Sequence, residues 1–293
     1  MLSKMIKGWS REKRYDWLIC LALVVGGLLW LDQINIRSWH FDDSFFGYTY
    51  AKNLVMGNGF TFNGSQTLGT SAPFPVLLYA AIGYVGKLFT GKVDIALIAE
   101  VISIIAILAT SVQIFVLLRQ LGRSYLASIA AAVFAYVNVF HIMLFGHESL
   151  LAILGVLAAI SLALRGRFVT SAVVAALSFL CRGESVVILP LLILIYLQAR
   201  PGAVTQTKLK ELALIGATFL APLILWFGYS QIVFDQLSSN SMSFKIIQNQ
   251  LSNGSFSAGL VDWIDRLMQP SMWGILTAVL VIISLTRSLR DWR

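Results

Sequence analysis

The sequence predicts an all-α fold, a polytopic transmembrane helical bundle of about eight to nine hydrophobic segments with an interfacial helix in its first outer loop. Three observations predict it. Of 293 residues, 58% are hydrophobic and 12% charged, with a mean hydropathy of +0.79, whereas an ordinary soluble domain carries about a quarter charged residues. Apolar runs of about 20 residues recur, long enough to cross a hydrocarbon core as helices. They are too continuous for the alternating strands of a barrel. Basic residues flank the runs: Lys4, Lys7, Arg11, Lys13 and Arg14 precede the first, and Arg287, Arg290 and Arg293 follow the last. The formal net charge of +8 therefore reads as cytoplasmic anchoring, with no call for a nucleic-acid partner.

Hydrophobic segments are expected at 15–34, 74–91, 93–119, 125–145, 148–165, 168–181, 185–199, 211–233 and 271–289, in one domain over 1–293. The first is read as a retained helix, because no clear small-residue cleavage site follows it. Residues 35–73 form the first outer loop. Within it 44–56 carries Phe45, Phe46, Tyr48, Leu54 and Val55 with few charges, which suits a short helix lying in the interface. Residues 57–73 read as turns whose glycines permit positive φ and close backbone approach. A second outer loop, 234–270, is rich in Ser, Asn and Gln.

The connectors 119–123, 165–167 and 199–210 are basic and are expected on the cytoplasmic side. The turns 146–148 (GHE) and 182–184 (RGE) then face outward with loop 35–73. One conflict follows. An outer loop at 35–73 and an inner turn at 119–123 need an odd number of crossings, yet two segments lie between them. Segment 74–91, with Pro73, Pro75, Gly83 and Gly86, is expected to be re-entrant or to cross only partly. The alternative is that 119–123 lies outside. Cys20 and Cys181 sit in apolar runs and are expected to be buried thiols.

The chemistry concentrates on one face. Asp42 and Asp43 form an acidic dyad at a membrane boundary, where a carboxylate is costly without a task. The pair suits a general base, and equally a cap on the following helix. His147 and Glu148 open one apolar run. Arg182 and Glu184 interrupt another, where Arg182 is shaped to hold a phosphate and is equally placed to pair with Glu184. Lys245, beside Asn240 in the second outer loop, is a further candidate for a phosphate arriving from the membrane. His40, Asp42, Asp43, His147 and Glu148 include ligand types that suit Mg²⁺ or Mn²⁺, but no spacing signature marks a metal site. No P-loop, G-x-S-x-G, H-E-x-x-H or paired C-x-x-C occurs, so nucleotide hydrolysis, serine hydrolysis and zinc-protease chemistry have no support.

Together these residues resemble the GT-C superfamily of membrane glycosyltransferases, in its bacterial arabinofuranosyl- and mannosyltransferase-like branch. The likeness rests on Asp42-Asp43, Tyr50-Ala51-Lys52-Asn53-Leu54, Gly57-Asn58-Gly59, Asn63-Gly64 and Gly69-Thr70-Ser71. Gly146-His147-Glu148-Ser149, Arg182-Gly183-Glu184 and Asn240 to Lys245 support it. Lys52 stands where that branch has Arg, Gly183 where it has Pro, and no Pro precedes Asn240. The resemblance implies transfer of a sugar from a polyprenyl-phosphate carrier to a glycan, lipid or protein acceptor at the outer face of a bacterial inner membrane. It implies Asp42 as the general base of an inverting attack, with Asp43 assisting. Lys52, Arg182 and Lys245 would receive the leaving phosphate, and Tyr50, Asn53, His147, Glu148, Glu184 and Asn240 would line the pocket. No cofactor is required, though Mg²⁺ or Mn²⁺ is compatible. The chain ends one span after the resemblance does, which leaves a second expectation: a non-catalytic scaffold or lipid-binding subunit of a larger complex.

Overall fold

A computed structural model describes residues 13–38, 40–64, 68–138, 143–200, 205–237 and 239. Among the described residues the chain is all-helical, with no strand. In chain order the helices are α1 (Lys13–Gln33), α2 (Ser44–Met56), α3 (Pro73–Thr90), α4 (Ile95–Gln120), α5 (Tyr125–Val137), α6 (Ser149–Leu164), α7 (Phe168–Cys181), α8 (Ile188–Ala199) and α9 (Thr205–Phe234). Short 3-10 turns occupy Ile36–Ser38 and Gly183–Val187. The starts of α4 and α5 are set by capping: Asp94 accepts from the Leu97 N–H at 3.0 Å, and Ser124 from the Ala127 N–H at 3.3 Å. Segment 271–289 and the second outer loop beyond residue 239 lie outside the described residues.

Four helices are long and apolar enough to cross a membrane: Tyr15–Gln33, Pro73–Thr90, Ile95–Gln120 and Gln206–Phe234. The other apolar helices are shorter, and their sequences show why they sit inside. Small residues line the α6–α7 contact: Ala159, Ala172, Ala175 and Ala176 are fully buried. The Ser171 hydroxyl donates to the Ala159 carbonyl at 2.7 Å. A Cβ on Gly155 would collide with the Ser178 hydroxyl. Small side chains let two backbones approach closely where apolar solvent offers no hydrophobic drive. Free Cys181 is buried and Cys20 is half-buried.

Contacts sort the bundle into two ends. At the distal end the Tyr125 hydroxyl meets Asp16 at 3.0 Å, Gln120 meets Ser161 at 2.8 Å, and Phe168 packs on Tyr196 with ring centroids 5.1 Å apart. The opposite end carries the 40–43 segment and the turns 145–148 and 182–184. Helices α1, α4, α6, α7, α8 and α9 each connect the two ends.

Helix α3 does not. Gly47 faces Val76, Tyr48 packs on Tyr79, and Val55 faces Gly83, so α2 and α3 run side by side in the same direction. Lys87 reaches back to the Val55 carbonyl at 3.1 Å, and Gly83 abuts Ile95 at the start of α4. The C-terminal half of α3 is thereby held beside the beginning of α4, not at its far end. At 1.5 Å per residue the 26 residues of α4 extend about 39 Å, longer than a ~30 Å hydrocarbon core. Its first two turns, with buried Ile95 and Ala99, carry the α2–α3 layer.

Candidate functional site

The 40–43 segment is stitched onto the turn before α6. The Phe41 N–H donates to the Phe145 carbonyl at 3.1 Å, and the Phe41 ring meets the His147 ring edge-on with centroids 4.8 Å apart. His40 packs against Phe45, Tyr48 and Phe145 and bonds Glu100 of α4 through Nε2 at 3.2 Å. Tyr48 donates to the Gly146 carbonyl at 3.3 Å, and Ser103 accepts from the Gly146 N–H at 3.0 Å. Burial pushes the Tyr48 hydroxyl up to about 12, and the neighbouring Glu100 carboxylate adds to the rise. The phenol therefore stays protonated and available as a donor. Gly146 has φ of 84°, and a Cβ there would collide with the Tyr48 hydroxyl. The turn needs glycine for both reasons.

Across this turn lies a polar chain built from two motifs. Arg182, just after α7, donates through Nη1 to the Ser149 hydroxyl at 2.7 Å. That hydroxyl sits 2.8 Å from His147 Nδ1, which also accepts from the Ser149 N–H at 3.2 Å. With Arg182 occupying an acceptor site on Ser149, the serine proton points to Nδ1. The network thus assigns the imidazole proton to Nε2, which faces Glu148 Oε1 at 3.2 Å. Arg182 also pairs with Glu148 at 3.9 Å and, through Nε, with Glu184 at 3.3 Å. Glu184 is 75% exposed, so that last pair contributes at most ~1 kcal/mol.

The dyad itself is exposed. Asp43 occupies the N-cap position of α2, but its side chain makes no capping bond. Asp42 Oδ1 accepts from the Asp43 N–H at 2.9 Å. Neither carboxylate forms an ion pair among the described residues. Phe41, the residue before Asp42, links the segment to the turn that carries His147.

Other residues singled out by the sequence fall elsewhere. Lys52 is exposed on α2, nine residues on from Asp43 and so about 14 Å along the helix. Tyr50 is buried, and its hydroxyl accepts from the Gly69 N–H at 2.9 Å. Asn53 donates to the carbonyls of Thr61 and Phe62 and accepts from Asn58. Both therefore fold the glycine-rich loop back onto α2, and Phe60 carries that loop onto Trp226 and Phe234 of α9. Asn240 and Lys245 lie outside the described residues.

Among the described residues no group of three or more His, Cys, Asp or Glu is placed to hold a metal ion. His40 turns to Glu100 and His147 to Glu148, so the five candidate ligands do not converge. Four contributors carried little sequence signal. Phe41, Tyr48 and Ser103 are ordinary residues of an apolar chain, and Ser149 stood out only as the end of Gly-His-Glu-Ser. Compared with protein-family models, curated proteins and solved structures, the chain matches none.

Proposed function

We propose that this chain is a membrane glycosyltransferase core that moves a sugar from a polyprenyl-phosphate carrier to an acceptor hydroxyl at the site end of the bundle. The observation that carries this reading is the stitching of segment 40–43 onto the 145–148 turn. It joins the segment that carries the exposed Asp42 to the turn whose Glu148 and Ser149 hold the Arg182 guanidinium. In the proposed step Asp42 takes the proton of the acceptor hydroxyl through Oδ2, since Oδ1 holds the Asp43 N–H. The acceptor oxygen bonds to the anomeric carbon from the face opposite the phosphate. The bond from that carbon to the phosphate oxygen breaks, and its electron pair leaves with the polyprenyl phosphate. Arg182 stabilises the departing charge. Asp43 shapes the dyad, while His147, Glu148 and Glu184 hold Arg182 and line the approach. Lys245 and Lys52 are secondary phosphate contacts in this reading, with Asn240, Tyr50 and Asn53 supporting the pocket. The site end faces outward from a bacterial inner membrane, opposite the basic turns.

A second reading has its own observation. Arg182 already has three acceptors within the chain, as in a static ion-pair network, and this favours a non-catalytic GT-C-like scaffold serving a partner subunit. Sugar transfer separates the two, and binding of undecaprenyl phosphate to the reconstituted protein tests the phosphate role of Arg182. The transferase reading expects Arg182→Gln to weaken binding about tenfold or more, the equivalent of one charge-assisted contact. Equal binding by parent and variant would contradict a phosphate role for Arg182.

A further inference from the structure

A cleft lies at the end of α1. The residues Leu28, Leu31, Asp32, Asn35, Ile36, Arg37 and Ile104 line a half-open cleft of about 130 Å³, the volume of roughly four liquid waters. Its lining is mixed: Leu28, Leu31, Ile36 and Ile104 are apolar, and Asp32 and Arg37 supply one carboxylate and one guanidinium. Neither Asp32 nor Arg37 forms an ion pair among the described residues. The backbone puts them on one rim. The Asn35 N–H donates to the Asp32 carbonyl at 2.9 Å, and Asn35 adopts φ of 49°, which turns the chain back before Arg37. Buried Ile36 pins that turn to the bundle.

Below the cleft an exposed apolar stripe descends α1 through Leu28, Val25, Leu21 and Leu18. These positions are spaced three or four apart, so they share one helix face. A small cleft with opposite charges on its rim, continuous with a long greasy stripe, matches an amphiphile whose head bears both an anion and a cation.

We propose that this is a binding site for a zwitterionic aminophospholipid. The phosphate lies against Arg37, the primary ammonium against Asp32, and an acyl chain along Leu28, Val25 and Leu21. The assignment rests on the membrane reading of the bundle and not on sugar transfer. A purely anionic lipid would meet Asp32 with like charge. A choline head has no N–H to donate to the carboxylate.

The test is native mass spectrometry of the full chain, purified from membranes in mild detergent and offered dioleoyl phosphatidylethanolamine, phosphatidylcholine or phosphatidylglycerol. The parent is expected to retain phosphatidylethanolamine about tenfold better than phosphatidylglycerol. Asp32→Asn should erase that preference while keeping phosphate binding, and Arg37→Gln should weaken retention of all three. Both residues are exposed, and an unchanged melting temperature without added lipid checks that the variants fold. Equal retention of the three lipids by the parent, or a preference that survives Asp32→Asn, overturns the site alone. Recovery of the chain from the soluble fraction instead of the membrane would sink the membrane reading and this site with it.

Discussion

At the scale of single residues, the site depends on a glycine that has no chemistry of its own. Gly146 presents a carbonyl to Tyr48 and an N–H to Ser103, so the turn that aims His147 is fixed from both sides. A methyl group here meets the Tyr48 hydroxyl and forces a non-glycine residue to positive φ. Gly146→Ala should destabilise the chain by roughly 1–3 kcal/mol, read as a drop in melting temperature in detergent. A variant melting with the parent would mean that the turn is not held as tightly as its hydrogen bonds indicate. The chemically loud residues were legible in the sequence: two adjacent acids, and ionic groups interrupting apolar runs. Their supports were not. The role of Ser149 depends on Arg182, 33 positions away in sequence, and no local pattern encodes such a meeting. Tyr50 and Asn53, polar residues in a conspicuous motif, hold the glycine-rich loop: Tyr50 accepts from the Gly69 N–H, and Asn53 donates to the Thr61 and Phe62 carbonyls.

At the scale of elements, local pattern and structure agree wherever one run forms one helix. Residues 168–181 and 44–56 were delimited by sequence alone, since apolar composition and flanking Arg, Gly and Asp mark their ends. The hard element was α3. Length and composition qualify it as a span, but Val55, Gly83, Ile95 and Lys87 keep it alongside α2. The charge conflict between loop 35–73 and turn 119–123, with Pro73, Pro75, Gly83 and Gly86 in the segment, is what makes a partial crossing the expectation. Cysteine labelling in sealed membranes checks it, with Cys20 and Cys181 first replaced by serine. Asn58→Cys and Lys92→Cys should react with an impermeant maleimide from the same side, and Arg123→Cys from the other. Reaction of Lys92→Cys together with Arg123→Cys would mean that α3 crosses after all.

At the scale of the whole molecule, charge and chemistry separate along the bundle. Arg119, Arg123, Arg165, Arg167 and Arg200 fall at the distal end. Burial lowers the affinity of Arg165 for its proton, and the neighbouring Arg167 adds to the effect. The acidic groups Asp42, Asp43, Glu100, Glu148 and Glu184 gather at the other end. The described residues form part of one compact unit ending at Asn240, and within it α6 and α7 pack closely through small buried residues. Such a scaffold keeps a carboxylate and a guanidinium at fixed positions on one surface, as an inverting transfer from a lipid phosphate needs. The most direct measurement is transfer by the protein reconstituted in liposomes, from a panel of undecaprenyl-phosphate sugars to soluble glycan acceptors, comparing the parent with Asp42→Asn. The account predicts turnover by the parent and a loss of about 10²–10⁴-fold in the variant, the range for removing a general base. An Asp42→Asn protein as active as the parent, or a parent that binds the carrier without transferring any sugar, would contradict it.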